Sequence, residues 1–560
     1  MKEETKGLYL AIVLSAIAVF LVNWIWPNDT KTDKNDIETP AVVAQEQKED
    51  NEDKLYNPSN REVLPLAEAL EKDARIAVDN EKITGSIRVK GARFDNIALK
   101  KYKETLEENS GNVELLSPTG SILPYYAEFG WISNDKTLKL PNNNTKWKVI
   151  GKKLTNQTPV TLEWNNGQGL KFVRKISIDN NYLFNIEQFV ENNSGKRVEL
   201  YPYGLINKSF SDEETKASVV HEGLLGVVDG SLKELKIQDL DKGEKKEFET
   251  IQGWAGFGER YWFSAFILNG KSKTKVSFSN AGEKTYQTDY VGAPIVVDNG
   301  GIGSNSVMFF TGAKEIALLD AYTKEKSIEK FDLAVDFGWY YFLTKPFFYI
   351  LDFLYHVIGN MGWAILLFAA LLRVAMFPIA NKSYESMSKM KKVQPKIQAL
   401  QENYKNDKMR LQQEMMELYK KEKINPASGC LPMFIQIPVF FSLYKVLNIA
   451  IEIRHAPFVG WIKDLSAPDP MTLSALTGLP IPSLIDLGVW PILMGITMFL
   501  QQKLSPKPAN KDQARMLAMM PIIFTFMLGH FASGLVIYWT LSNVLSIIQQ
   551  KAIMKKVGVD

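Results

Sequence analysis

A chain of 560 residues is too long for one soluble core, and its apolar residues gather in the first 26 positions and roughly the last 220. A formal charge of +3, from 66 Lys and Arg against 63 Asp and Glu, excludes the global basic field that a nucleic-acid partner would need. The single cysteine, Cys430, excludes an internal disulfide, and four scattered histidines (His221, His356, His455, His530) argue against a Cys/His metal site, so no metal and no cofactor is expected.

Gly7 to Trp26 is an uncharged run of 20 residues, long enough at about 1.5 Å per residue to cross a hydrocarbon layer of about 30 Å. A cleaved signal peptide is the competing reading. The run exceeds the usual signal core of about 7 to 15 residues and ends in Trp26-Pro27-Asn28-Asp29 rather than small-x-small, so residues 1–26 are read as a retained transmembrane anchor. Residues 27–60 are polar, with almost no aromatic side chain to bury, and read as a flexible tether.

Over 61–335 the pattern becomes short alternating runs. Leu170, Phe172, Ile176 and Ile178 share one parity, Asp179-Asn180-Asn181 turns, and Tyr182, Phe184 and Ile186 resume it, which predicts an antiparallel hairpin. Further runs at 86–89, 147–150, 198–203 and 276–278 extend this to a large all-β sandwich with few helices. Its lone histidine, His221, reads as structural, since no nucleophile elbow or acid/base pair accompanies it. Gly253, Gly256 and Gly258 flank Trp254 and Phe257 without P-loop spacing and read as turn and packing glycines.

Residues 336–352 concentrate aromatic rings and are expected along the outer membrane surface. The later segments read as a second span at 353–378, a helical hairpin at 379–430, a third span at 431–452, an outer connection at 453–486, a fourth span at 487–502 and a connection at 503–515. A fifth and sixth span follow as a hairpin over 516–550, split at the break signal 529–534, before a tail at 551–560. Residues 379–430 hold eleven Lys and Arg against six acids, and Lys503, Lys507, Lys511, Arg515, Lys551, Lys555 and Lys556 mark the later cytoplasmic stretches. Six spans with both termini in the cytoplasm satisfy this distribution.

Inside the spans, Arg373 stands in an otherwise uncharged stretch, where an arginine costs about 2.5 to 3.5 kcal/mol on insertion scales. Snorkelling is the bland explanation. A water-filled cavity open to the cytoplasm fits better, because Asn381 lies about 12 Å of helix further on, beyond the side chain's reach. Lys445 sits near the middle of the third span beside Gln436 and Asn448, with no obvious protein partner, and either joins the cavity or turns to headgroups and water. In the hairpin, Met390, Val393, Ile397, Leu400 and Tyr404, then Leu411, Met415 and Leu418, repeat at three and four. The methionines 387, 390, 409, 415 and 416 give it an adaptable surface, although hairpin packing would bury some of them.

Several motifs in order carry a family resemblance: Leu372-Arg373-Val374-Ala375-Met376-Phe377-Pro378, Met390 through Gln394-Pro395-Lys396-Ile397, Asn425-Pro426 to Gly429-Cys430, and Ser533-Gly534-Leu535-Val536-Ile537-Tyr538. Together they resemble the YidC family of membrane protein insertases, most strongly over 337–550 and more loosely toward the N-terminus. The resemblance implies a five-helix core with a hydrophilic groove open to cytoplasm and lipid, below a periplasmic β domain of the Gram-negative type, in the bacterial inner membrane. By position, Arg373 matches the family's groove arginine, Gln436 a polar groove site, Tyr538 and Trp539 the aromatic pair that contacts clients, and 381–424 the cytoplasmic hairpin. Ala369 departs from a hydroxyl residue found in some members, and Lys445 stands where no charge is expected.

The implied partners are nascent inner-membrane proteins, the Sec translocon and the phospholipid bilayer. The ribosome stays open as a further partner, with the short tail arguing against docking through it. The activity expected is insertion and chaperoning without bond chemistry, so no catalytic residue is assigned. A secondary transporter of anionic solutes is the alternative, opposed by the lack of an inverted repeat. A membrane-anchored carbohydrate protein is a second rival, placing function in 61–335.

Overall fold

A computed structural model describes residues 64–211, 221–241, 245–282, 284–405, 407–422, 424, 431–483, 485–506 and 511–558. The anchor at 1–26, the tether at 27–60 and the 425–430 motif lie outside the described residues.

Between Arg75 and Ala313, eighteen strands among the described residues join by hydrogen bonds into one continuous sheet that folds over itself as a sandwich. The hairpin expected around 179–181 is present. Leu170–Ile178 and Leu183–Asn192 pair antiparallel from Phe184 opposite Ile178 to Asn192 opposite Leu170, and burial alternates along both strands. The turn holds because the Asp179 carboxylate accepts the main-chain N–H groups of Asn181 (2.8 Å) and Leu183 (3.0 Å). The other four runs overlap strands Ile83–Arg88, Lys148–Ile150, Val198–Ser209 and Trp262–Gly282, with Val89 and Trp147 just outside them.

The inward rows meet as interlocking rings. Phe94, Phe129, Phe184 and Phe309 contact one another with centroids 5.3 to 6.1 Å apart, and all four are buried. Trp254, Phe263, Phe310 and Phe331 form a second group beside them. Gly256 pairs with Ala265, and a Cβ built there would lie 1.9 Å from the Ser264 carbonyl oxygen, so close strand approach explains this glycine. The Nε2 of His221 bonds the Leu224 carbonyl at 3.0 Å, a local structural contact.

Eight longer helices complete the described chain: α1 (Ile316–Glu325), α2 (Tyr341–Ile358), α3 (Met361–Asn403), α4 (Lys408–Lys421), α5 (Leu431–Ile449), α6 (Val489–Leu504), α7 (Lys511–Leu528) and α8 (Ser533–Val557). α8 packs between α3 and α6, α2 packs against α3 and α5, and α7 lies on α6. Among the described residues Met361–Asn403 is the one helix both long and apolar enough to cross a membrane, and Phe434–Ile449 and Ala514–Leu528 are shorter apolar helices.

Three boundaries differ from the sequence reading. The stretch 353–378 is not one element: α2 already contains the aromatic segment from Tyr341 onward and ends at Gly359, whose φ of 78° is left-handed, and Asn360 restarts α3 by accepting the Trp363 N–H at 3.1 Å. α3 then continues through Pro378 and Pro395 for 43 residues, about 65 Å, so the end assigned to the span at 378 is the middle of a helix. The buried face of Ala380, Ser383 and Tyr384 continues the packing of α3 past Pro378, which outweighs the one main-chain donor that proline lacks. α5 stops at Ile449 and a 3-10 turn covers Ile451–Ile453, so the helix is shorter than 431–452.

Candidate functional site

α8 carries polar side chains at helical spacing on an otherwise apolar segment. Ser542, Asn543, Ser546, Gln549 and Gln550 are all buried, a costly placement unless each group finds a partner. The neighbouring helices supply several. Arg373 of α3 donates from Nη2 to the Ser542 hydroxyl (2.7 Å) and to its carbonyl (3.0 Å). Gln549 donates to Asn381 of α3 at 2.8 Å, and Asn543 to Thr497 of α6 at 3.1 Å.

Four residues before Ser542, and therefore on the same helix face, Tyr538 is 2% exposed, and its hydroxyl accepts from Nε2 of Gln436 on α5 at 3.2 Å. Arg373, Gln436 and Tyr538 thus converge where α3, α5 and α8 meet. Trp539 turns the other way, edge-on to Phe440 with centroids 4.7 Å apart and 6.1 Å from Phe524, and forms an apolar wall beside the polar seam. The bonds to Ser542 orient the Arg373 guanidinium through neutral oxygens and so do not cancel its charge. A half-buried cation next to an aromatic wall offers one place to an acidic or polar segment and another to an apolar one.

Lys445 belongs elsewhere, and two expectations about it are corrected. It lies four residues from the end of α5 rather than mid-helix, and it has a partner: its Nζ is 2.6 Å from Oδ2 of Asp336. Asp336 precedes α2 and is 109 residues away in sequence, so only the folded chain brings the pair together. One turn further, Arg260 of the β domain forks onto Asn448, from Nε to its carbonyl (2.6 Å) and from Nη2 to its side-chain oxygen (3.0 Å). Asn448 therefore joins α5 to the β domain, and Lys445 joins it to the segment that leads from that domain into α2.

In the hairpin, Met390 and Ile397 of α3 pack with Val393 against Met415, Leu418 and Tyr419 of α4 and Ile424. Leu400 and Leu418 line a shallow cleft between the arms, Pro395 lies within α3, and Lys396 closes the arms on Glu422 at 2.6 Å. Met409 and Met416 stay exposed while Met390 and Met415 turn inward. Ser542, Ser546 and Gln549 are not singled out in the sequence analysis. Their spacing of four and seven along the last apolar segment is the signal that would have found them.

Residues 353–559 match the family described as 60Kd inner membrane protein, and residues 75–350 match the YidC periplasmic domain. The membrane protein insertase YidC of Beijerinckia indica subsp. indica is 43% identical to this chain, over 100% of it and 97% of the relative. That of Rickettsia akari is 48% identical over 86% of this chain and 87% of its own length. The crystal structure of an active YidC insertase with its first transmembrane domain resolved has a TM-score of 0.37 and 17% identity, covering 87% of this chain and 93% of that one. With matches that take in both the sandwich and the helices, and relatives this similar along nearly their full length, the chain belongs to the YidC family of membrane protein insertases.

Proposed function

We propose that this insertase passes the polar tail of a client through the seam at Arg373 while the client's apolar segment slides along α5 and α8 into lipid. The observation that carries the reading is the Arg373 guanidinium, half-buried between α3 and α8, held by neutral oxygens of Ser542 and one helical turn from the Gln436–Tyr538 pair. Burial of apolar area drives the transfer, and the polar seam shortens the path on which charges and bare peptide groups would face hydrocarbon. Short helices act in the same direction: the 16 residues of α6 span about 24 Å against a hydrocarbon layer of about 30 Å, which favours local thinning of the bilayer.

In this reading the chain crosses the inner membrane six times, with a five-helix core, both termini and the 379–430 hairpin in the cytoplasm and the β domain in the periplasm. Its clients are nascent inner-membrane proteins, handled alone or beside the Sec translocon, and the basic hairpin faces headgroups or the ribosome. Lys445, paired with Asp336, lies outside the groove. No nucleotide or covalent step is involved.

The test is insertion of a single-span client with an acidic N-terminal tail into liposomes that hold the purified chain. Arg373→Ala is expected to slow it about tenfold, the loss of about 1.4 kcal/mol from a charge-assisted contact. Insertion at the native rate would refute the charged groove.

A further inference from the structure

Beyond the groove itself, the contacts at the far end of α5 give the β domain a task. We infer that Asp336 and Arg260 are positioning residues for insertion: through Lys445 and Asn448 they set the orientation of α5, and through α5 the place of Gln436 in the groove. This rests on the groove reading above.

The joint is built of several contacts. Lys445 pairs with Asp336 at 2.6 Å, with side chains 20% and 22% exposed, and the Arg260 fork takes both oxygens of Asn448. Because Asn448 lies in the last turn of α5, the Arg260 guanidinium also meets the negative end of the helix dipole. Just beyond the helix, Arg454 donates to the Glu104 carbonyl at 3.0 Å and lies over the Trp262 ring, which secures the following turn to the same domain.

The helix geometry makes these contacts a lever. Lys445 follows Gln436 by nine residues, two and a half turns, so the two side chains leave α5 on opposite faces about 13 Å apart along the axis. A swing of about 10° at the joint moves Gln436 by about 2 Å, enough to lose its 3.2 Å bond to Tyr538. A half-buried pair with a fixed geometry also resists rotation of the helix in a way that apolar contact alone does not. The β domain, joined to the membrane core at the end of a groove helix, thereby acts on the groove without touching the client.

The test uses the full chain in liposomes, with Asp336→Lys, Lys445→Glu and the double reversal, and the acidic-tailed client. Spin labels at Ile437→Cys and Val544→Cys, both exposed, report the spacing of α5 and α8 in a Cys430→Ser background. Each single reversal is expected to slow insertion about fivefold and to shift the label distance, and the double reversal to recover at least about half of the native rate together with the native distance. Single reversals that insert at the native rate overturn the inference. So does a loss of insertion with an unchanged label distance, or a double reversal no better than the worse single. Native protein that inserts no client above empty liposomes refutes the groove reading instead, which keeps the two failures apart.

Discussion

Replacing Ser542 by Ala removes one of the two oxygens that orient Arg373, and the structure sets the size of the effect. The lost bond is the shorter one, 2.7 Å to the hydroxyl, and a hydrogen bond to a charged group is worth about 1.5 to 3 kcal/mol. The carbonyl at 3.0 Å remains, although it is shared with the Ser546 hydroxyl at 2.7 Å, so the guanidinium keeps a weaker hold on α8. About 1 kcal/mol of orientation is then lost, equivalent to roughly fivefold slower insertion. The assay compares initial insertion rates for two single-span clients that differ only in the tail, one with Asp and Glu, the other with Asn and Gln. The expected result is a fivefold loss for the acidic tail and less than twofold for the neutral one. Adding Ser542→Ala to Arg373→Ala should cost little more than Arg373→Ala alone, because both act on one contact. Equal losses for both tails would refute the reasoning and make Ser542 a packing residue.

Two further outcomes concern the β domain. Gly256→Ala brings a methyl group against the Ser264 carbonyl and should lower stability by about 1 to 3 kcal/mol, read from urea unfolding of the full chain in detergent; an unchanged midpoint would show that the strands can part without cost. Lys314 is 2% exposed, and burial pushes its ammonium down from the ordinary 10.5 to about 8, while Glu259, Asp336, Glu222 and Glu234 pull it back up. Between pH 8 and 10.5 the unfolded chain binds more protons than the folded one, so stability rises with pH across that window, and below it the cost of burying the charge is felt in full. Lys314→Met should therefore stabilise the chain by about 1 to 3 kcal/mol at pH 7 and flatten the rise above pH 8. A variant less stable than the native chain would mean that the surrounding carboxylates outweigh the burial.

Much of the architecture was legible because it is written in local periodicity. Parity placed the strands at 170–178 and 182–186, and the Asp179 turn confirmed their register. The glycine-rich signal at 529–534 separated α7 from α8, since two helices meet there across four residues. Arg373 stood out because a charge in an apolar run is costly wherever it ends up. Where the reading failed, competing local signals were involved. Pro378 reads as a stop, yet the packed face of α3 continues past it, and the Gly359-Asn360 boundary was hidden inside a run of apolar residues.

By itself the sequence determined the β-rich middle, the apolar helices that follow it, the charged segments between them and the motifs of the family, since each of these is a sum over neighbouring residues. Only the tertiary structure decided which buried polar groups meet. Lys445 finds Asp336 across 109 residues, Arg373 finds Ser542 across 169, and Gln436 finds Tyr538 across 102. A buried charge must be satisfied by some partner, but its identity depends on how helices are rotated and packed, and that information is carried by no single stretch of chain.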